Sequence, residues 1–441
     1  MKDALNRTEE IVTKARKLGA EEVIAKTTFG KYRQVRFSNN QVDITVAWND
    51  YVTDVALAWK KRVVATQIHN FQEADPSLKN LLKLARVSKA NPSFGGFAKG
   101  KFHYAKSKAD KKLADLEKPS EYVLEAISAA EKEAGTKIES GGILFTKYED
   151  TYLASSGGPV GTDARSAVEF SIRAFAEQEA SGHGVECSST LKDFKPARAG
   201  AKAGEIARLA RNPRCGEEGV YDVVFDPLIL GSSLGVWGGM ASAYSTLVQM
   251  SVFIDKLGKK VAPSTVTLRD NPAAYSIMNR VFDDEGVPAK ENVFIDHGVL
   301  KTYLHNTSTA KMFKTKTTGN AGLVFPTPWN IEMDAGDMTK EELFQTMKSG
   351  LYLTNTWYTR FQNYAKGDFS TIPRDGIFKV QNGEINQSLK DLRISDNVLN
   401  MLGNIVAVSK ERQHVHWWGE ADPPSLAPYA LIKNVHITKS K

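Results

Sequence analysis

Between residues 21 and 69, apolar and polar side chains alternate in short runs, which is the period-2 pattern of half-buried β-strands. Polar clusters separate several of these runs, so we predict an antiparallel meander rather than parallel βαβ units. The predicted separators are Ser38–Asn40, Asn49–Asp50 and Lys60–Lys61. Amphipathic helices are predicted on either side of this meander, at residues 1–20 and 76–87.

A helical pattern opens a second unit near residues 120–135. Its apolar positions are Tyr122, Val123, Ala126, Ile127 and Ala130. Two strands follow, at 141–156 and 166–180, and an alanine-rich helix ends near Asn212–Pro213, because the residue before proline is pushed out of helical geometry.

The remaining chain starts with the strand 219–226 and is predicted to be mostly β. Helices are expected near residues 227–250, 272–281 and 339–350. The pattern predicts an α+β protein with an amino-terminal antiparallel meander and helices (1–88), a basic linker (89–119), a middle α+β unit (120–213) and a larger β-rich carboxy-terminal domain (219–441). A chain of 441 residues with 41% hydrophobic residues is long enough to bury such cores.

The net charge of +7 is concentrated in one segment: residues 86–118 hold nine Lys or Arg and three acids. Four aromatic residues there have two interpretations. In the first, they stack on nucleic acid bases beside the lysines. In the second, the segment is a solvated linker between domains whose aromatic side chains pack on neighbouring surfaces, and this interpretation is favoured. These residues are Phe94, Phe97, Phe102 and Tyr104.

The beginning of the chain lacks the apolar core of a signal peptide, and no apolar run approaches the roughly 20 residues of a membrane span. The chain has two cysteines, Cys187 and Cys215. Without a disulfide framework, a reducing cytoplasmic location fits best.

Ser233 lies in Gly231-Ser-Ser-Leu-Gly235, which matches the GxSxG nucleophile elbow and makes a serine hydrolase one alternative. That motif requires a sharp strand-to-helix turn at the serine. Here Asp226–Pro227 is typical of a helix start, so we expect Ser233 to lie within or beside a helix where small residues allow close packing.

The histidines offer weak metal sites. His183 and Glu186 lie beside Cys187, and the glycines flanking His183 predict a loop. His414 and His416 would share one face of a strand. This second pair lacks a third ligand, so a polar strand face is its favoured interpretation.

Two further groups have both a functional and a structural interpretation. The acidic residues Asp283, Asp284 and Glu285 either bind a divalent ion or form a turn, and they lack the alternating spacing of a calcium loop.

Four aromatic residues either line a peptide groove or fill the core, the more common location of such side chains. They are Trp329, Trp357, Tyr358 and Phe361.

From Val220 to Ile437 the chain resembles the TldD/PmbA family of cytoplasmic zinc peptidases, which work as pairs of related subunits. The motifs that carry the resemblance occur in the order YDVVFDP, FIDKLGKKV with VTLRD, DDEGVP to TTGNA, KGDFS with GIFKVQNGEI, and NVLNMLGNIVAV. Each motif is short, but their order and spacing together are specific.

The resemblance also contains a departure. Catalytic TldD-like subunits carry HExxxH in the helix after the entry strand, whereas residues 234–239 here read LGVWGG. The resemblance therefore implies a non-catalytic TldE/PmbA-type subunit with no catalytic or metal residues and no cofactor of its own. It also implies a heterodimer with a TldD-like partner that holds the zinc, and an unfolded peptide as substrate. No membrane partner is expected, and nucleic acid is unlikely.

We expect three polar loops to face the substrate cleft or the partner, although turn chemistry explains the same residues. They are Asp283, Asp284, Glu285 and Gly286; Thr318, Gly319 and Asn320; and Asp368 with Ser370. A DNA-binding or gyrase-modulating protein, the activity attached to the family's name, remains a second alternative to the subunit reading.

Overall fold

The computed structural model describes residues 2–273, 276–417 and 420–440. Its helices are α1 Lys2–Lys17, α2 Ala74–Val87, α3 Pro119–Ala134, α4 Pro196–Leu209, α5 Pro227–Met240, α6 Ala243–Leu247, α7 Thr307–Met312, α8 Lys340–Met347 and α9 Val398–Gly403. Its amino-terminal strands are β1 Glu22–Ser38, β2 Gln41–Trp59, β3 Arg62–Ile68, β4 Glu139–Ser155, β5 Val160–Glu177 and β6 Ala180–Ser188.

The carboxy-terminal region holds the remaining strands. They are β7 Arg214–Cys215, β8 Gly219–Phe225, β9 Leu268–Asp270, β10 Asn292–Asp296, β11 Val299–Leu300, β12 Ile331–Met333, β13 Gly350–Asn363, β14 Asp368–Gln381, β15 Glu384–Lys390, β16 Leu392–Asn397, β17 Ile405–Trp417 and β18 Ala421–Lys439. The chain is thus a mixed α+β protein, and the predicted fold class is confirmed.

The predicted meander is present as three antiparallel strands, β1, β2 and β3. Its turns fall at Asn39–Asn40 and Lys60–Lys61, where all four residues have positive φ between 47° and 60°. Such left-handed pairs suit two-residue hairpin turns because their twist matches that of the strands. The predicted separator Asn49–Asp50 is wrong, since both residues lie inside β2.

The amino-terminal and middle units share one six-stranded sheet in the order β3-β2-β1-β4-β5-β6. Strand β1 pairs with β4 from Ile24 to Phe37. Helices α1 to α4 cover one face of this sheet. Gly200 and Gly204 let α4 lie against α3, since a Cβ at either position would come within 2.1 Å of an α3 carbonyl oxygen.

The predicted basic linker is a strap that is bound to its surroundings. The Phe97 amide donates to Glu22 Oε2 at 2.7 Å, and the Tyr104 hydroxyl donates to the Gly286 carbonyl at 2.7 Å. Phe94, Phe97 and Tyr104 pack in a shared apolar cluster with the second face of the sheet and the carboxy-terminal domain. Three of the four predicted aromatic side chains of the strap therefore pack on protein surfaces, as the favoured interpretation expected, while Phe102 lies outside this cluster.

The carboxy-terminal domain is built on a twelve-stranded mixed sheet. Strand β8 lies between β18 and β13, antiparallel to the first and parallel to the second. The helix predicted at 272–281 is wrong for the described residues, which form turns, while Ala274 and Tyr275 of that range lie outside the description. No helix in the described ranges is long and apolar enough to cross a membrane.

Candidate functional site

Helix α5 is fixed at its first turn by a buried carboxylate. Asp226 caps the helix by accepting from the Leu228 amide at 3.1 Å, and Pro227 follows at the first helical position, as the sequence predicts. The same carboxylate accepts from Lys202 Nζ at 2.7 Å and from the Tyr352 hydroxyl at 2.8 Å. These contacts fix the helix start relative to α4 and β13.

One side of α5 forms the wall of a cleft of about 820 Å³. The residues that face the cleft are spaced four, three and one apart, which places them on one face of a helix. They are Ser232, Val236, Gly239 and Met240. A Cβ on Gly239 would have no atom within 4 Å, so the floor of the cleft is open at this position.

Aromatic side chains line the other walls of the cleft. Tyr244 stacks on Phe325 at 5.3 Å between ring centroids, and Phe361 stacks on Tyr364 at 4.7 Å. Tyr358, which is 52% exposed, belongs to the same lining. Exposed aromatic walls around a concave space are typical of sites for apolar or extended ligands.

Two carboxyl groups stand at one end of the cleft, Glu420 and Asp422. Burial raises the pKa of Glu420 above its ordinary value. Asp422 pairs with His416 Nε2 at 3.6 Å, and this contact lowers the pKa of Asp422. The other imidazole nitrogen, Nδ1, lies 2.7 Å from Glu169 Oε2 on β5. His416 therefore connects the amino-terminal sheet to the rim of the cleft.

Ser233 lies in the interior of α5, and its hydroxyl donates to the Ile229 carbonyl at 3.1 Å. The nucleophile elbow is absent here because the strand that precedes the helix ends at Phe225, well before the serine. The helical placement predicted from Asp226–Pro227 is confirmed. Ser233 has no setting that would activate its hydroxyl.

The loop predicted around His183 is wrong, because His183 is buried in β6. The flanking glycines serve packing: a Cβ at Gly182 or Gly184 would come within 2.1 Å of an α4 carbonyl oxygen. Burial lowers the pKa of His183 to about 4. Its two ring nitrogens contact Ser171 Oγ at 2.8 Å and Asn355 Nδ2 at 3.0 Å, so both are occupied.

The other histidine pair lies on β17, where Gln413 and Val415 alternate with His414 and His416. His416 is held by Glu169 and Asp422, as described above. Within the described ranges, no group of three or more His, Cys, Asp or Glu side chains is arranged to hold a metal ion.

The acidic residues at 283–285 form a turn in which each carboxylate has protein partners. Fully buried Asp283 accepts from the amides of Glu285 and Val287 at 3.0 and 2.9 Å. Asp284 pairs with Lys26 Nζ at 2.9 Å. Burial raises the pKa of Glu285 to about 7, against the effect of its contacts with Thr307. The turn interpretation fits this geometry better than an ion site.

The other predicted loop residues also have partners within the fold. Thr318 Oγ1 accepts from the His305 amide at 2.7 Å, and Asn320 is fully buried and donates to Asp270. Asp368 and Ser370 belong to β14 rather than to a loop. The cleft lining contains none of the nine predicted loop residues, all of which the structure describes. Their role toward a partner stays a prediction.

The four predicted aromatic residues divide between core and cleft. Trp329 is 4% exposed and lies under the Arg280 guanidinium, 3.4 Å from the ring centroid. Trp357 is half-buried against Trp417. Tyr358 and Phe361 line the cleft. Sequence reasoning missed Tyr244, Phe325, Glu420 and Asp422, because they follow no period and converge only in the folded chain.

Family models match most of the chain. Residues 110–211 match the PmbA/TldA metallopeptidase central domain, and residues 218–439 match the PmbA/TldA metallopeptidase C-terminal domain. A metalloprotease of Methanocaldococcus jannaschii is 34% identical over 213 residues, which cover 46% of this chain and 46% of that protein. The chain thus spans about half the length of the curated relatives it matches.

Two solved structures share the fold over nearly the full chain. TldE from Thermococcus kodakarensis matches with a TM-score of 0.88 at 17% identity, covering 98% of this chain and 100% of that one. A putative modulator of a DNA gyrase from Thermotoga maritima matches with a TM-score of 0.84 at 21% identity, covering 98% and 99%. At these identities the likeness establishes the fold alone.

Proposed function

Because this chain belongs to the PmbA/TldD metallopeptidase family, we propose that it is a TldE-like subunit without a catalytic centre of its own. In this proposal it completes a cleft for unfolded peptides, and a TldD-like partner in the heterodimer carries HExxxH and the zinc. The two unpaired cysteines fit the proposed cytoplasmic location.

The cleft face of α5 is the observation that carries the proposal. Its side chains, Ser232, Val236, Gly239 and Met240, include no imidazole, thiolate or carboxylate that could bind zinc or transfer a proton. At the neighbouring Gly235, a metal-binding side chain would also lack room, since a Cβ there would come within 3.0 Å of the Asp422 carbonyl oxygen. This segment therefore fits a surface that binds a peptide rather than a centre that cleaves the peptide bond.

The walls of the cleft fit an extended peptide. Half-exposed aromatic rings such as Tyr358 and Phe361 offer apolar contact area, while a β-rich surround offers backbone hydrogen bonds that are independent of sequence. The carboxylate of Asp422 adds an attraction for a cationic group at one end. The subunit would thus hold peptides while its partner cleaves them.

The test is reconstitution with a TldD-like partner. We expect the purified chain alone to bind no stoichiometric zinc and to show no peptidase activity, and the mixture to elute as a heterodimer with activity that a chelator removes. Gly239→Phe, which fills the open floor, should raise KM for long peptides in the mixture. Val160→Phe, on β5 and outside the cleft lining, is the control. Chelator-sensitive peptidase activity of the chain alone would overturn the proposal.

A further inference from the structure

The outer edge of the amino-terminal sheet is free along half of β2. Strand β3 pairs with β2 only from Thr53 to Trp59, so residues 41–52 have β1 on one side and no strand of the described chain on the other. The eight residues from Asp43 to Asp50 are all exposed. A long free edge presents unpaired amides and carbonyls to any extended chain.

The edge also has an apolar face. Ile44, Val46 and Trp48 alternate along β2 and point to one face of the sheet, where they are 50%, 38% and 40% exposed. On that face Trp48 stacks on Tyr32 at 5.4 Å and lies 6.0 Å from Phe145 between ring centroids. Natural proteins usually protect such edges with charge or proline, and residues 44–49 of this strand contain neither.

We propose that this edge binds an extended segment of the unfolded polypeptide by strand addition, as an auxiliary site for the chain that enters the cleft. The identity of that chain as a peptidase substrate rests on the proposed function. In strand addition, the free backbone groups of β2 form hydrogen bonds with the backbone of the bound segment. Ile44, Val46 and Trp48 contact alternate side chains of that segment.

Charge argues against a second copy of this chain as the occupant. Two copies could pair residues 41–52 with each other in an antiparallel register. Asp43 of each copy would then lie opposite Asp50 of the other, which gives two pairs of like charges. Like charges directly opposite each other destabilise a strand pair. Residues 41–52 carry these two carboxylates and no cation, although Arg33 and Arg36 lie on β1 behind them. The edge is therefore complementary to a segment with cations seven residues apart.

A series of contacts leads from the apolar face of this edge to the cleft. Phe145 on β4 is the direct neighbour of Glu169 on β5, and Glu169 contacts His416, which contacts Asp422 in the cleft lining. A segment paired with the free edge of β2 lies four strand spacings from β5, about 19 Å. Roughly six extended residues cover that distance, so one polypeptide can extend from the edge to the strand that contacts His416.

Binding of a fluorescent peptide to the chain alone tests the proposal. The probe has eight residues, with lysine at both ends and threonine and valine alternating between them, so that its lysines can lie opposite Asp50 and Asp43. Val46→Lys puts a charge on the edge and should weaken binding at least about tenfold, or about 1.4 kcal/mol. Val160→Lys is the matched control, because Val160 is also a strand valine and is 39% exposed. We expect it to change binding less than about twofold.

Two altered probes separate backbone pairing from other contacts. The same peptide with alternate amides N-methylated should lose binding, and a peptide with glutamate at both ends should bind more weakly. Equal binding by Val46→Lys and Val160→Lys, or by the N-methylated probe, would overturn the inference. A dimer of the unaltered chain that Val46→Lys converts to monomer would also overturn it, because a second copy would then cover the edge.

Gly239→Phe separates this inference from the proposed function. If Val46→Lys abolishes probe binding and Gly239→Phe does not, the edge site stands even where the reconstituted pair shows no peptidase activity. If only Gly239→Phe abolishes binding, the cleft is the binding site and the edge site is refuted.

Discussion

Ser233 illustrates how the position of a residue within an element decides its chemistry. Its hydroxyl donates to the carbonyl of Ile229 one turn earlier, a contact that occupies the hydrogen and places the oxygen against the helix. We expect Ser233→Ala to change the free energy of unfolding by no more than about 0.5 kcal/mol. A serine-directed phosphonate should leave the protein unlabelled.

Ser232→Ala is the control for that substitution, because the Ser232 hydroxyl donates to the Glu420 carbonyl at 2.6 Å and joins α5 to the cleft rim. Its loss should cost about 1 kcal/mol, measured by urea unfolding. Stoichiometric phosphonate labelling that disappears in Ser233→Ala would restore the serine hydrolase alternative.

His416 makes stability depend on pH. Burial opposes its charged form, but the contacts with Asp422 and Glu169 outweigh burial and raise the pKa from 6.5 to about 9. Because the pKa is higher in the folded state, protonated His416 stabilises the fold. This contribution is fully present below about pH 6.5 and is lost as the pH rises through 9. The pKa shift of His416 corresponds to roughly 3 kcal/mol of stability. Because Asp422 is 69% exposed, solvent screens its interaction with His416, and the loss should be smaller than that value.

Urea unfolding at pH 6 and pH 9.5 measures this effect, with His416→Gln as the variant. The difference between the two pH values should shrink in His416→Gln. His436→Gln is the comparison, because His436 is 56% exposed and contacts only Asp396 among carboxylates. An unchanged pH dependence in His416→Gln would show that another group carries it.

At the residue scale, the sequence predicted features that depend on adjacent residues, but it did not predict those that depend on packing between distant elements. The Asp226–Pro227 signal placed Ser233 in a helix because capping depends on adjacent residues alone. The glycines around His183 indicated a loop, but they exist for the approach of α4, an element that begins eight residues after β6. Close packing and loop flexibility select the same residue type, so sequence alone cannot separate them.

At the element scale, the position of α5 depends on the buried Asp226 and its partner Lys202, whose side chain is 19% exposed. Asp226→Asn keeps the shape and the cap but leaves the ammonium of Lys202 without a counterion. Breaking a fully buried pair in this way costs about 3–5 kcal/mol, and the partial exposure of Lys202 places the expected loss at the lower end of that range. We expect the urea midpoint to fall accordingly with an unchanged m-value.

Restoring neutrality tests that explanation. Adding Lys202→Met to Asp226→Asn should recover part of the loss, because no buried charge then remains unpaired. Thr339→Ala removes the cap of α8, where Thr339 and Glu342 form a capping box, and should cost about 1 kcal/mol. A loss for Asp226→Asn as small as that of Thr339→Ala would refute the buried-pair argument.

Elements with local signals were predicted well, and those defined by distant contacts were not. Helices α2, α3 and α8 lie close to their predicted positions, and α8 also has a capping box at Thr339. Strand β2 was divided at Asn49–Asp50, since polar residues in mid-strand look like a turn where neither face is buried. The cleft was missed because its walls come from α5, α6, β13, the start of β18 and irregular segments such as residues 325–328, which are far apart in the sequence.

At the scale of the whole molecule, the partner of β1 is the feature that no local pattern contains. Strand β4 lies more than a hundred residues further along the chain, yet it pairs with β1 from Ile24 to Phe37. Val35 and Phe37 of β1 share a core with helix α3 of the middle unit. The boundary predicted between residues 88 and 120 therefore crosses a continuous sheet.

This continuity predicts how fragments behave. Residues 1–88 retain the core between α1, α2 and the meander, but they lose β4, which leaves the edge of β1 bare in addition to the free first half of β2. Bare edges favour association, so we expect this fragment to form concentration-dependent oligomers on sizing and to unfold without a sharp transition. Residues 1–212 keep the six-stranded sheet and should unfold cooperatively by circular dichroism. A monomeric 1–88 fragment with a cooperative transition would mean that the sheet is two folding units joined at β1 and β4.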